Sequence, residues 1–181
     1  MQLKHIALNS RAFRQPGLVG DRTEVFGLPL EHAVTRKHIE LEIGCGVGWH
    51  PIETAKRMLG EDRALIAIER TNNKFSAFKR RFENHAELQT VLTAVHSDAF
   101  HFIAERIPAR SLEKLWMLYP NPEVKRPNNR WYRSSAFKCA LAALRVGGRF
   151  HFASNLSDYA LEGEVQAPLL GLHLISKQIV T

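Results

Sequence analysis

The stretch Leu41-Glu42-Ile43-Gly44-Cys45-Gly46-Val47-Gly48 limits the folds open to this chain more than any other. The run from His38 to Ile43 reads as a buried strand that enters a glycine-rich turn. A helix from His50 to Leu59 follows, with Pro51 tolerated in its first turn. Glycines at such a turn permit positive φ and let the backbone approach a ligand closely. A second buried strand, Ala64 to Ile68, ends at Glu69. That acid lies about twenty residues beyond the glycines, the distance at which a carboxylate reaches a ribose diol. Strand, turn, helix, strand and acid in this order imply a nucleoside-containing ligand.

The alternation continues downstream. Val91 to Val95, Leu112 to Leu118 and Arg149 to Ala153 read as further strands. Helical patterns separate them: one carrying Phe75, Phe78 and Phe82 that Asn72 or Asn73 can cap, then Ala99–Arg106, then Ser135–Leu144, ended by Gly147-Gly148, and another follows near Ser157–Val165. Short apolar runs alternating with helices are the pattern of a parallel sheet with crossover helices. Residues 1–37 show no sustained period and read as an arm, with a short helix or lid, ahead of one domain spanning 38–181. Gly171 to Val180 gives at most one or two further short strands.

Composition narrows the function classes. With 181 residues, 45% of them hydrophobic and 24% charged, the chain fits a single globular domain, not a disordered or fibrous one. No apolar run approaches the ~20 residues that span a bilayer, and the start of the chain lacks a secretory apolar stretch. Two cysteines, Cys45 and Cys139, make neither a disulfide framework nor a zinc site. A cytoplasmic protein without a membrane partner is expected. Its oligomeric state is left between monomer and homodimer. The net charge of +7 favours a polyanionic partner.

The order Glu-x-Gly-x-Gly-x-Gly separates this turn from a diphosphate-binding one. An anion at Glu42 repels a diphosphate but suits the positive amino-acid end of S-adenosylmethionine. The pattern resembles motif I of class I S-adenosylmethionine-dependent methyltransferases, and His96-Ser97-Asp98-Ala99-Phe100 resembles their adenine-facing loop. Further along, Tyr119-Pro120-Asn121-Pro122-Glu123-Val124-Lys125 is similar to the Phe-Pro-Asp-Pro-Trp-x-Lys segment of the bacterial tRNA (guanine-N7-)-methyltransferases. Ile107-Pro108-Ala109-Arg110-Ser111-Leu112 resembles that family's Ile-Pro-x-x-Ser-Leu. Gly147 to Asn155 with Tyr159-Ala160 follows its Gly-Gly-x-x-x-x-Ala-Thr-Asp…Tyr-Ala.

This resemblance, over about residues 39–160, implies an α/β class I methyltransferase fold: a Rossmann-like three-layer sandwich with a mostly parallel sheet and helices on both faces. It implies S-adenosylmethionine contacts at Glu42, Gly44, Gly46, Glu69, Asp98 and Ala99. Asn121 takes the catalytic position, with substrate contacts at Lys125, Arg126, Arg130 and Asn155, and tRNA is the implied partner. Three features depart from the family. Its Asp is Asn at 121 and at 155, the basic stretch after Lys125 is thinner, and a Thr-Lys-Phe-Glu segment has no counterpart before Thr181. The sequence is thus read as a divergent, C-terminally shortened member. Each Asp-to-Asn exchange trades a charge-assisted hydrogen bond for a neutral one, on the order of tenfold in rate. A methyltransferase acting on a small molecule or an amine, and a non-catalytic cofactor- or RNA-binding module, are the alternatives.

Other features read as ordinary structure. The nine histidines show no metal-ligand spacing, so no metal is assigned. Phe75, Phe78 and Phe82 recur at helical spacing and read as core. Asp98 reads as a helix N-cap that can also serve the cofactor. Lys79-Arg80-Arg81 is either a solvated face or a phosphate contact. Trp131 and Tyr132 either dock a helix or stack on a base.

Overall fold

The computed structural model describes residues 23–121 and 130–179. Six strands form one sheet: β1 (Glu24–Gly27), β2 (His38–Ile43), β3 (Arg63–Glu69), β4 (Leu92–His96), β5 (Leu112–Leu118) and β6 (Leu144–Ala153). Among the described residues six α-helices accompany them: α1 (Leu30–Ala33), α2 (Trp49–Lys56), α3 (Asn72–Phe82), α4 (Ala99–Arg106), α5 (Ser135–Ala143) and α6 (Ser157–Gln166). The strand order is β1-β4-β3-β2-β5-β6. All neighbours are parallel except β1, which runs antiparallel to β4 along one edge. The order reverses at β2, between β3 and β5. Ligands bind outside the carboxyl ends of the strands at such a reversal.

Period-two alternation on the strands decides which residues meet which layer. On β2, Ile39, Leu41 and Ile43 join a core with Ile66 and Ile68 of β3, Leu115 and Met117 of β5, and Phe102 and Ile103 of α4. The opposite face packs Leu65 and Ala67 of β3 against Ile52 of α2 and the Phe75, Phe78 and Phe82 stripe of α3. The three phenylalanines are essentially buried, as their helical spacing predicts. Glu40 and Glu42 also point to that second face and are buried there. They are the polar interruption of an otherwise apolar central strand.

Three details differ from the expectation. Within the arm, Glu24–Gly27 forms the edge strand β1, tied to α3 by Lys79 Nζ donating to Glu24 Oε1 at 2.6 Å. Its four residues carry only Val25 and Phe26 as apolar signal, so pairing with β4 supplies what periodicity does not. Gly147 and Gly148 lie inside β6, because α5 gives way to the strand directly after Ala143. They fall where the register shifts, between the pairs Leu112↔Leu144 and Lys114↔Arg149. Residues 172–179 form no strand, and Leu174, Ile175 and Ile179 are exposed. An isolated apolar run without a neighbouring strand has no ladder to complete. Of the two readings of Trp131 and Tyr132, the structure shows the docking one. Trp131 packs 4.5 Å from the Phe100 ring, and Tyr132 is buried against Phe137, Phe152 and Tyr159.

Candidate functional site

Three adjacent parallel strands deliver carboxylates to the same end of the sheet: Glu42 near the end of β2, Glu69 ending β3, and Asp98 just after β4. Glu69 orders the glycine turn. Its Oε2 accepts from the Gly46 amide at 2.9 Å and its Oε1 from the Thr71 amide at 2.6 Å. A carboxylate has about four lone-pair sites, so each oxygen keeps capacity for a further donor such as a hydroxyl. Asp98 caps α4, accepting from the amides of Phe100 and His101 at 3.1 and 3.2 Å. Both bonds use Oδ1, which leaves Oδ2 for another donor. Ala99 follows in the first turn of α4 and is buried.

The glycines divide by role. Gly44 and Gly46 have φ of +72° and +62°, and a Cβ at either would meet nothing within 4 Å. The turn therefore borders open space, with backbone accessible at close range. Gly48 differs, because a Cβ there would lie 2.0 Å from Phe78 Cδ2. It serves the packing of the turn against α3, not a ligand. Cys45, between the first two, is buried, and its thiol is held well above its ordinary pKa by burial and then by the charges of Glu42 and Glu69. It stays a protonated, unreactive thiol.

Glu42 is the least compensated of the three acids. It is 2% exposed, and its hydrogen-bond partner among the described residues is His50 Nδ1 at 2.8 Å. A buried carboxylate is stable when paired or fully hydrogen-bonded. Here one imidazole does that work. The set as a whole, one buried acid for a cation, one acid with hydroxyl-accepting capacity and a glycine turn beside open space, fits a cationic nucleoside. It opposes a diphosphate.

On the other side of the strand reversal, Tyr119 and Asn121 follow β5, and Asn155 follows β6. The two strands are neighbours, joined at their ends by the Tyr119 amide donating to Ala153 O at 2.8 Å. Asn121 and Asn155 are exposed there, so the structure brings the two segments to one edge of the site. Tyr119 has φ of +50° and is 66% exposed. Lys125 and Arg126 lie outside the described residues. Arg130 is drawn into an ion pair, with Nη1 2.6 Å from Glu162 Oε2 and its guanidinium over the Tyr159 ring. Arg133 completes that pairing at 2.6 Å. Burial raises the Glu162 pKa, but the two guanidinium partners outweigh it and hold the carboxyl below its usual range. Of the run Lys79-Arg80-Arg81, Lys79 is bound to Glu24, and Arg81 lies 3.8 Å over the exposed Trp49 ring beside the glycine turn.

Sequence reasoning does not single out His50, Trp116 or His151. Trp116 stacks on His151 at 4.0 Å and meets His50 at 5.0 Å. The available signal is position: His50 falls in the first turn after the glycines, eight residues from Glu42, and Trp116 and His151 are register partners on β5 and β6.

Residues 36–167 match the protein family described as "Putative methyltransferase". The chain is 34% identical over 123 residues to a tRNA (guanine-N(7)-)-methyltransferase of Azorhizobium caulinodans, covering 67% of this chain and 51% of that protein. It is 33% identical over 126 residues to a tRNA (guanine-N(7)-)-methyltransferase of Geobacter metallireducens, covering 68% and 58%. The chain thus spans about half the length of these curated relatives. Among solved structures, an S-adenosylmethionine-dependent O-methyltransferase of Thermotoga maritima shares the fold. Its TM-score is 0.56 at 16% identity, over 77% of this chain and 46% of that one.

Proposed function

This chain belongs to the methyltransferase family matched over residues 36–167, and from that premise we propose that it transfers a methyl group from S-adenosylmethionine to guanine N7 of tRNA. The observation that carries the cofactor assignment is the carboxylate set at the ends of β2, β3 and β4, around a glycine turn with open space before it. Relatives named for tRNA guanine-N7 methylation support the substrate, as does the net charge of +7.

Bound S-adenosylmethionine supplies a methyl group activated by its sulfonium. Glu42 receives the ammonium of its amino-acid end, and Gly44 and Gly46 let that end lie against the backbone. Glu69 takes the ribose hydroxyls, while Asp98 and Ala99 border the adenine. Guanine N7 carries its own lone pair, so the chain need supply no general base. Its task is to orient the purine in line with the methyl and to offset the positive charge that the ring acquires. Asn121 does the orienting through its amide, with Asn155 on the neighbouring strand end and Lys125 and Arg126 toward the tRNA backbone. Arg130 serves by fastening its segment to α6 through Glu162.

The test is transfer of radiolabelled methyl groups to bulk tRNA that lacks 7-methylguanosine, followed by nucleoside analysis. Label in 7-methylguanosine is expected. Label in another nucleoside moves the substrate atom, and cofactor binding without transfer to any RNA overturns the tRNA assignment.

A further inference from the structure

We infer that His50 is a positioning residue that fixes the Glu42 carboxylate for the ammonium of the cofactor, an inference that rests on the cofactor assignment above. Glu42 can only accept, so His50 Nδ1 carries the proton of their 2.8 Å hydrogen bond. Its Nε2 lies 3.3 Å from the Thr54 hydroxyl, one turn along α2. Hydrogen bonds at both ring nitrogens fix the plane of the imidazole. A single imidazole donor to Oε2 orients the carboxylate while leaving Oε1 for a ligand.

The ring is also held sideways. Its centroid lies 5.0 Å from Trp116. Trp116 is itself pinned by its Nε1 donating to Glu40 Oε2 at 2.8 Å and by stacking on His151. The position of His50 is therefore set before any ligand arrives, which is the condition for binding without an ordering cost. The groups around it are arranged to aim one carboxylate.

The experiment measures affinity of the full chain for two compounds by calorimetry. S-adenosylhomocysteine carries the amino-acid end, and 5′-methylthioadenosine lacks it. His50→Leu is expected to weaken S-adenosylhomocysteine about tenfold, the worth of a hydrogen bond to a charged group, and to change methylthioadenosine less than twofold. His50→Asn, whose amide nitrogen falls near the Nδ1 position, is expected to restore most of the difference. Equal losses for both compounds, or no loss for either, overturn the positioning role while leaving the cofactor assignment standing. Failure of the wild-type chain to bind either compound overturns the cofactor assignment and this inference with it.

Discussion

Glu40 and Glu42 stand two residues apart on one strand, face the same side of the sheet and are both buried, yet their surroundings are opposite. Glu40 accepts from Arg63 Nη1 at 3.1 Å, from Lys114 Nζ at 2.8 Å and from Trp116 Nε1 at 2.8 Å. It sits in a wider cluster toward the amino ends of the strands, where Glu113 meets His38, Arg63 and Arg145. Glu42, toward the carboxyl ends, has one imidazole. The first acid is neutralised by the fold itself. The second has a single imidazole partner among the described residues. In the sheet, the acid toward the amino ends ties three strands together, whereas the acid toward the carboxyl ends ties its strand to the helix after the glycine turn.

The comparison can be broken by exchanging the two fates. Glu40→Ala strands two cations and the indole N–H of Trp116. Breaking a buried ion pair at one partner is expected to cost about 3 kcal/mol of unfolding free energy, measured by urea denaturation. The surviving folded protein should bind S-adenosylhomocysteine as the wild type does. If stability holds and affinity falls, the division between the two acids is wrong.

Glu42→Gln inverts the pattern. The amide still accepts from His50 but no longer holds charge for an ammonium, so cofactor affinity should drop roughly ten- to hundredfold. Stability should stay level or rise, because an amide costs less to bury than a carboxylate. A loss of stability comparable to that of Glu40→Ala would place Glu42 among the structural acids.

A smaller effect tests the boundary between the two regions, where Trp116 touches both acids' partners. His151 stacks on that indole, and its Nε2 is buried without a hydrogen-bond partner among the described residues. Burial first, and then the charge of Lys114, hold its imidazole below the ordinary 6.5, with Arg149 and His50 adding to this and Glu40 opposing. The unfolded chain therefore takes up a proton at higher pH than the folded one. The stability from this group is complete above about 6.5 and declines as pH falls through the window between the two values. His151→Leu should flatten that decline in urea midpoints recorded from pH 7.5 to 5. An unchanged slope would assign the acid sensitivity to other groups.

Much of this could be read directly from residue order. The strand, glycine turn and distant acid of residues 38–69 announce a nucleoside site, and the structure places Glu42, Glu69 and Asp98 at adjacent strand ends. The helical spacing of Phe75, Phe78 and Phe82 announces the core they form. These signals are local: a turn needs its glycines and a helix needs its period, whatever surrounds them. Strand β1 was not legible, because four residues with two apolar side chains become a strand only when β4 offers them hydrogen bonds. Arg130 was not legible either. An arginine expected beside the substrate is instead claimed by Glu162, a residue 32 positions away.

The amino-acid sequence by itself determined that the chain alternates strand and helix, that a glycine turn lies at the end of its first parallel strand, and that acids stand at or just beyond the ends of three successive strands. Tertiary structure alone decided what each acid does. Nothing in Glu-x-Glu distinguishes Glu40 from Glu42. The partners of Glu40 arrive from 23, 74 and 76 positions away through the registers with β3 and β5, whereas among the described residues Glu42 receives a single histidine eight positions along. Charge compensation inside a protein is a property of the few ångströms around a group. Those ångströms are filled by chain that the local sequence does not contain.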